Sequence, residues 1–212
     1  MIRFFKSGRA IFSSPFVISL LFMLSSMQAS GQNKEYLQSV GKVNFFGVDF
    51  SKVNIISEDE PAALVAELAG IDELFISNPR KYVAAIEKKL GLKMISIDIE
   101  NVAANLKEVE DPSSLFSKES KLDDANNAMW DRVALADLDL HSKVGTGLVI
   151  MAVELDDVEK LGYYKMIFFD MATKEVHDSF FIGGRAVGVV KKISLRNYWS
   201  GTLQNAINKI EL

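Results

Sequence analysis

Two carboxylates and an imidazole stand at every second position in Asp137-Leu138-Asp139-Leu140-His141. In extended backbone, residues i, i+2 and i+4 share a face. Such a face would gather oxygen and nitrogen donors, a sensible start for a divalent metal site. The chain has only two His, however, and the segment runs straight into a turn at Val144-Gly145-Thr146-Gly147. Solvated loop acids around two buried leucines are the simpler reading, and no metal or cofactor is assigned.

Four other residues are candidates for binding. Asp49 falls near the end of Lys42–Phe50, a run rich in β-branched and aromatic residues that reads as a strand. Ligands tend to sit at strand ends in open parallel α/β sheets, which also makes Asp49 the first candidate for carboxylate catalysis. Gly183-Gly184-Arg185-Ala186-Val187-Gly188 is the one glycine cluster. It reads as a bend leaving a strand, or else as backbone N–H groups that hold an anion together with Arg185. Arg196-Asn197-Tyr198-Trp199 opens the last helix. Trp199 starts that helix's apolar stripe, whereas Arg196 and Tyr198 fall off it. They form either a capping turn or a contact surface of the residue types enriched in binding hot spots.

The remaining chemical signals are thinner. His177 lies beside Val176 in a strand-like run with no nucleophile to serve. Asp123-Asp124 and Asp156-Asp157 are acid pairs, the second in a connection where Asp favours turns. Neither spacing favours two-carboxylate catalysis. The sequence holds no G-x-S-x-G, H-E-x-x-H, P-loop or dinucleotide fingerprint.

The elements that must position these residues follow from pattern. Ser57-Glu58-Asp59-Glu60-Pro61 starts a helix over Pro61–Leu68 that stops at Gly70. Asn78-Pro79 starts a second, with Tyr82, Val83, Ile86 and Leu90 on one face and Gly91 as its stop. Met94–Glu100 alternates, so Ile95, Ile97 and Ile99 are expected to face the core. Asp124–Val133 reads as a short helix. Thr146–Leu155, Gly162–Asp170 and Glu175–Ile182 read as three strands joined by hairpins. Asn197–Ile210 puts Trp199, Leu203, Ala206, Ile207 and Ile210 on one stripe of an amphipathic helix. The expected fold is an α/β sandwich in which helices cover a mixed sheet, ending in an antiparallel meander and that helix.

Composition narrows the functional classes. The 212 residues contain 49% hydrophobic residues and no cysteine. That excludes a disordered chain, a disulfide framework, thiol catalysis and a lipidated cysteine. A net charge of −4 gives no footprint for nucleic acid. Arg3, Lys6 and Arg9 precede the charge-free segment Ile11–Asn33, with the apolar run Phe16–Leu24 inside it. Ala29 and Gly31 fit the small residues of a cleavage site, so residues 1–31 are expected to be a secretory signal. Removing its three positive charges leaves 21 basic against 28 acidic residues, or −7, in residues 32–212. That length suits one domain without a membrane span.

Several of these features together resemble a family. A signal segment comes first, then a strand with Gly41, Val43, Phe45, Val48, Asp49, Phe50 and Ser51. The Asn78-Pro79 start, the Phe168-Phe169-Asp170 strand end and the Arg196-Asn197-Tyr198-Trp199 helix follow. The set resembles uncharacterised exported proteins of Gram-negative bacteria, which implies an envelope location and no particular activity. The order of elements is also similar to small α/β domains of envelope assembly lipoproteins, although this chain has no cysteine to lipidate. The expectation is a non-enzymatic binding or assembly module with an envelope protein or small ligand as partner. A carboxylate-dependent periplasmic hydrolase is the alternative.

Overall fold

The computed structural model describes residues 34–122, 127–140, 143–186 and 194–211. The expected signal, Asp123-Asp124, His141, and Val187 with Gly188 lie outside them. The helices are α1 (Lys34–Val40), α2 (Pro61–Ser77), α3 (Val83–Leu90), α4 (Glu100–Lys107), α5 (Asn127–Ala136) and α6 (Leu195–Asn208). The strands are β1 (Lys42–Asp49), β2 (Asn54–Ile56), β3 (Lys93–Ile97), β4 (Thr146–Asp156), β5 (Leu161–Asp170) and β6 (Val176–Arg185). They form one mixed sheet in the order β3-β1-β4-β5-β6, with β2 also paired to β4. β1 runs parallel to β3 and β4, and β2 parallel to β4, whereas β4, β5 and β6 are the antiparallel meander. The α/β class, the meander and the closing amphipathic helix match the sequence reading.

Strand β4 explains the layering. Its buried residues alternate, so Leu148, Ile150 and Ala152 enter one apolar cluster while Val149, Met151 and Val153 enter another. The first cluster holds Leu37 of α1, Leu64, Leu68, Ile71 and Phe75 of α2, Val83 and Ile86 of α3, and Trp199 and Leu203 of α6. The second holds Val102 of α4 and Trp130, Ala134 and Leu135 of α5. A sheet buried on both faces reads as a near-continuous apolar run rather than an alternation.

Three local expectations are corrected. Gly70 does not end the first helix, because α2 continues to Ser77 and Asn78 closes it, donating its N–H to Leu74 O at 2.9 Å. The glycine serves packing instead. A Cβ there would collide with the guanidinium of Arg196. Ile95 does not face the core. Val43 pairs with Met94 and Asn44 with Ser96, so Ile95 is the extra residue of a bulge and is 58% exposed. The Met94 N–H is taken at 2.9 Å by Glu87 Oε1, and Lys93 pairs with the same carboxylate at 3.3 Å. Bulge, lysine and capped N–H together blunt the β3 edge. Finally, β6 runs through Gly183 and Gly184 without the expected bend. A Cβ at Gly184 would strike the Thr202 carbonyl and the Ala206 N–H, so this glycine lets α6 lie directly on the strand.

Candidate functional site

The strand connections create a crevice at the end of β1. From β1 the chain reaches β3 through α2 and α3, which pack on one sheet face. From β3 it reaches β4 through α4, whose Val102 and Leu106 enter opposite clusters, then through Leu115 on the first face and α5 on the second. That connection passes beyond the carboxyl end of β1, and strand carboxyl ends are the usual ligand position in open α/β sheets.

A second bulge shapes that end of β1. Phe45 pairs with Leu148 and Val48 with Ile150, so one residue is inserted between them. Gly47 takes it up at φ +89, a conformation that favours glycine. The buried carboxyl of Asp72, on α2, accepts the Val48 N–H at 2.7 Å. Burial pushes Asp72 well above the usual carboxylate range, and the neighbouring charge of Asp49 adds to the rise against the opposing pull of that hydrogen bond. Past the bulge, Asp49 Oδ1 accepts the Ser51 N–H at 2.7 Å and Oδ2 accepts Asn105 Nδ2 at 3.0 Å. Asp49 is itself buried; Oδ1 holds the turn after β1 and Oδ2 ties the strand end to α4.

Beside this frame opens a cleft of about 500 Å³. Ser51 and Lys52 line it from the β1–β2 turn, Asn105 from α4, Glu108 from that helix's C-cap, and Asp111 and Ser114 from the cap and body of the 3₁₀ turn at Pro112–Leu115. Glu110, Lys121 and Asp137 complete its charged wall. Lys52 and Asp137 form an ion pair at 3.7 Å with both side chains half exposed. The Ser113 hydroxyl and N–H hold Asp111 below the usual carboxylate range. Ser51 is only 3% exposed, yet its Oγ has no hydrogen-bond partner. Buried polar atoms in folded proteins are nearly always paired.

The other sequence candidates lie apart from this cleft. Arg185 donates from Nη1 to the Glu159 carbonyl at 2.9 Å, clamping the β4–β5 hairpin. Arg196 pairs with Glu67 at 3.3 Å and Glu73 at 3.9 Å across Gly70. Tyr198 is buried against Trp199, contrary to the expectation that it leaves the stripe. Helix α6 packs against α2 and α3 as well as the sheet, so a side chain outside the sheet-facing stripe is still covered. Its hydroxyl meets the Asp157 carboxylate, and burial with that acidic neighbour pushes its pKa up to about 12. In the alternating acidic segment, Leu138 and Leu140 are buried while Asp137 and Asp139 face out. His177 is exposed on β6, its ring 5.5 Å from that of Tyr36.

Sequence reasoning reached Asp49 but missed Ser51, Asn105 and Asp72. Ser51 stood in plain view as the residue closing the Asp49-Phe50-Ser51 strand end. Asn105 and Asp72 carry no local signal, because their partners are 56 and 24 residues away. A further buried ion pair also escaped notice. Lys165 of β5 is wholly buried, pairs with Asp131 of α5, and lies 5.3 Å from the Phe181 ring centre. Burial lowers its pKa, and Ser179 Oγ donates to Asp131 Oδ2 at 3.0 Å, so the group fastens α5 to the sheet. Among the described residues no helix is long and apolar enough to cross a membrane. No protein-family model, curated protein or solved structure matches the chain.

Proposed function

We propose that this chain is an exported, non-enzymatic binding module of the bacterial envelope that takes a small polar ligand in the cleft beyond β1. One observation carries the binding reading. The buried Ser51 hydroxyl has no partner, and Ser51 lines a cleft beyond the carboxyl end of β1. Leaving a buried hydroxyl unpaired costs about 1–3 kcal/mol, and a ligand whose entry turns that hydroxyl into the cleft and pairs it removes the cost. The commitment of both Asp49 oxygens to Ser51 and Asn105 favours binding over carboxylate hydrolysis. Export rests on the n-region and apolar run of residues 1–31 and on the resemblance drawn from the sequence.

Thermal denaturation of residues 32–212 with a panel of sugars, amino acids, polyamines and small carboxylates tests the cleft. At least one class raises the Tm of the native protein and does so less for Ser51→Ala. Without ligand, Ser51→Ala is as stable as the native chain or more so, because it removes an unpaired buried group. Ligand stabilisation that is identical in Ser51→Ala, or absent across the panel, overturns the assignment.

A further inference from the structure

We infer that the face formed by the end of α2 and strand β3 docks the protein on a membrane surface of anionic phospholipid. A cleft of about 400 Å³ opens there, and it shares no lining residue with the cleft beyond β1. Ile76 and Pro79 line it from the end of α2 and the turn that follows, and Met94, Ile95, Ser96 and Ile97 line it from β3. Ile76 and Ile95 are each 58% exposed, so two large apolar side chains from different elements stand out of one face. Exposed apolar residues grouped in this way mark interaction sites. The charge of this part of the chain is uneven as well. Over Ile76–Ile97 five basic residues, Arg80, Lys81, Lys88, Lys89 and Lys93, stand against Glu87 alone. The rest of residues 32–212 holds 16 basic and 27 acidic residues. The apolar face therefore sits in a basic stretch of an acidic chain.

The chemistry of the face chooses the partner. A strand is refused, because the bulge at Ile95, the Lys93 side chain and the Glu87 carboxylate on the Met94 N–H guard the β3 edge. Protein interfaces carry about one hydrogen bond per 100–200 Å². The only polar side chain in this lining, Ser96, is already committed, its hydroxyl donating to Asn44 Oδ1 at 2.6 Å. Lipid chains accept apolar side chains and ask for no hydrogen bonds. Arg80 and Lys81 directly follow Pro79 and are exposed, as is Lys88 on α3. Long basic side chains lay their stems along apolar surface and keep their charged heads in the polar layer, where phosphates complement them. Affinity for such a surface grows with the apolar area inserted and with the attraction to anionic lipid.

Co-sedimentation of residues 32–212, which hold every described element, with lipid vesicles at low salt tests this. The protein pellets with vesicles of phosphatidylglycerol and phosphatidylcholine in equal parts and stays in solution with phosphatidylcholine alone. Ile76→Ser with Ile95→Ser, and separately Arg80→Gln with Lys81→Gln, each weaken binding by about tenfold or more. Val144→Ser with Val158→Ser, and Lys107→Gln with Lys118→Gln, remove exposed side chains outside this lining. They leave binding within about twofold, because the attraction falls off within a Debye length. Equal weakening by the Lys107 and Lys118 pair means diffuse attraction and overturns the inference. Equal binding to neutral vesicles, full binding by the isoleucine pair, or no binding to either vesicle overturns it too. Self-association in sedimentation velocity that Ile76→Ser with Ile95→Ser abolishes would show that a second copy covers the face, and the lipid assignment falls.

Discussion

The N–H of Val48 donates to Oδ1 of Asp72 at 2.7 Å, across 24 residues of sequence. This bond joins helix α2 to the bulge that turns Asp49 towards α4. The same packing leaves no room at Gly47, where a Cβ would lie 2.7 Å from Asp72 Oδ1 and 2.9 Å from Val102 Cγ2.

Asp72 makes stability depend on pH with a definite sign. Its pKa is raised in the folded chain by burial, while the unfolded chain releases the same proton near pH 4. Above that pH the folded state binds more protons at this site, so its contribution to stability falls as pH rises. The loss starts near pH 4 and continues until the folded carboxyl ionises. Asp72→Asn keeps an acceptor for Val48 and removes the titration. Urea denaturation at pH 4.5 and pH 7 will find Asp72→Asn gaining on the native chain at the higher pH. Asp72→Ala, which strands the Val48 N–H, will lose about 1–3 kcal/mol.

Tyr198 belongs to the core, and its substitutions will read that way. Tyr198→Ala empties space beside Trp199 and will lower stability by about 3–5 kcal/mol, the usual range for truncating a buried aromatic. Tyr198→Phe keeps the ring and gives up the bond to Asp157, a loss of about 1 kcal/mol. Chemical denaturation of both variants measures the difference. Equal small losses would mean that the ring is not packed.

Gly184 and Gly183 are neighbours with opposite tolerance. A methyl at Gly184 meets the backbone of α6, which cannot step aside, whereas at Gly183 it meets the Tyr163 ring at 3.3 Å. Gly184→Ala will therefore cost about 1–3 kcal/mol or more, as overpacking does, and Gly183→Ala less. A comparison of melting curves decides it.

Export is tested by mass. Protein recovered from the native envelope fraction will have the intact mass of residues 32–212, within a few residues. A full-length mass in a carbonate-resistant membrane pellet would make the apolar segment an anchor.

Legibility in the sequence tracked the range of the interaction. Patterns closed within one element were readable, among them the Trp199–Ile210 stripe, the Pro61 helix start and the meander. The 3.6 and 2.0 periods are local properties. Features set by a distant partner were not. Ile95 looked core-facing until pairing with β1 made it a bulge residue, and Gly70 looked like a stop until Arg196 filled its space. Strand β2 was overlooked because it is only three residues long, and helix α4 because it is short and polar at both ends. The cleft was half legible. Asp49 marked the right strand end, but the lining residues come from segments more than 80 residues apart, and no single stretch announces them.

The pairing of Asn44 with Gly147 has a consequence for how the chain is born. The first strand lies between β3 and β4 in the parallel part of the sheet, yet its β4 neighbour is synthesised about a hundred residues later. Until then the apolar run Val43–Phe50 has no lasting partner on that side. Such non-local closure is slow, because the entropy of a long loop must be lost before any contact forms. A nascent chain of this protein therefore carries β1 without its β4 partner for some seconds of translation, and its apolar residues are exposed to wrong contacts for that time.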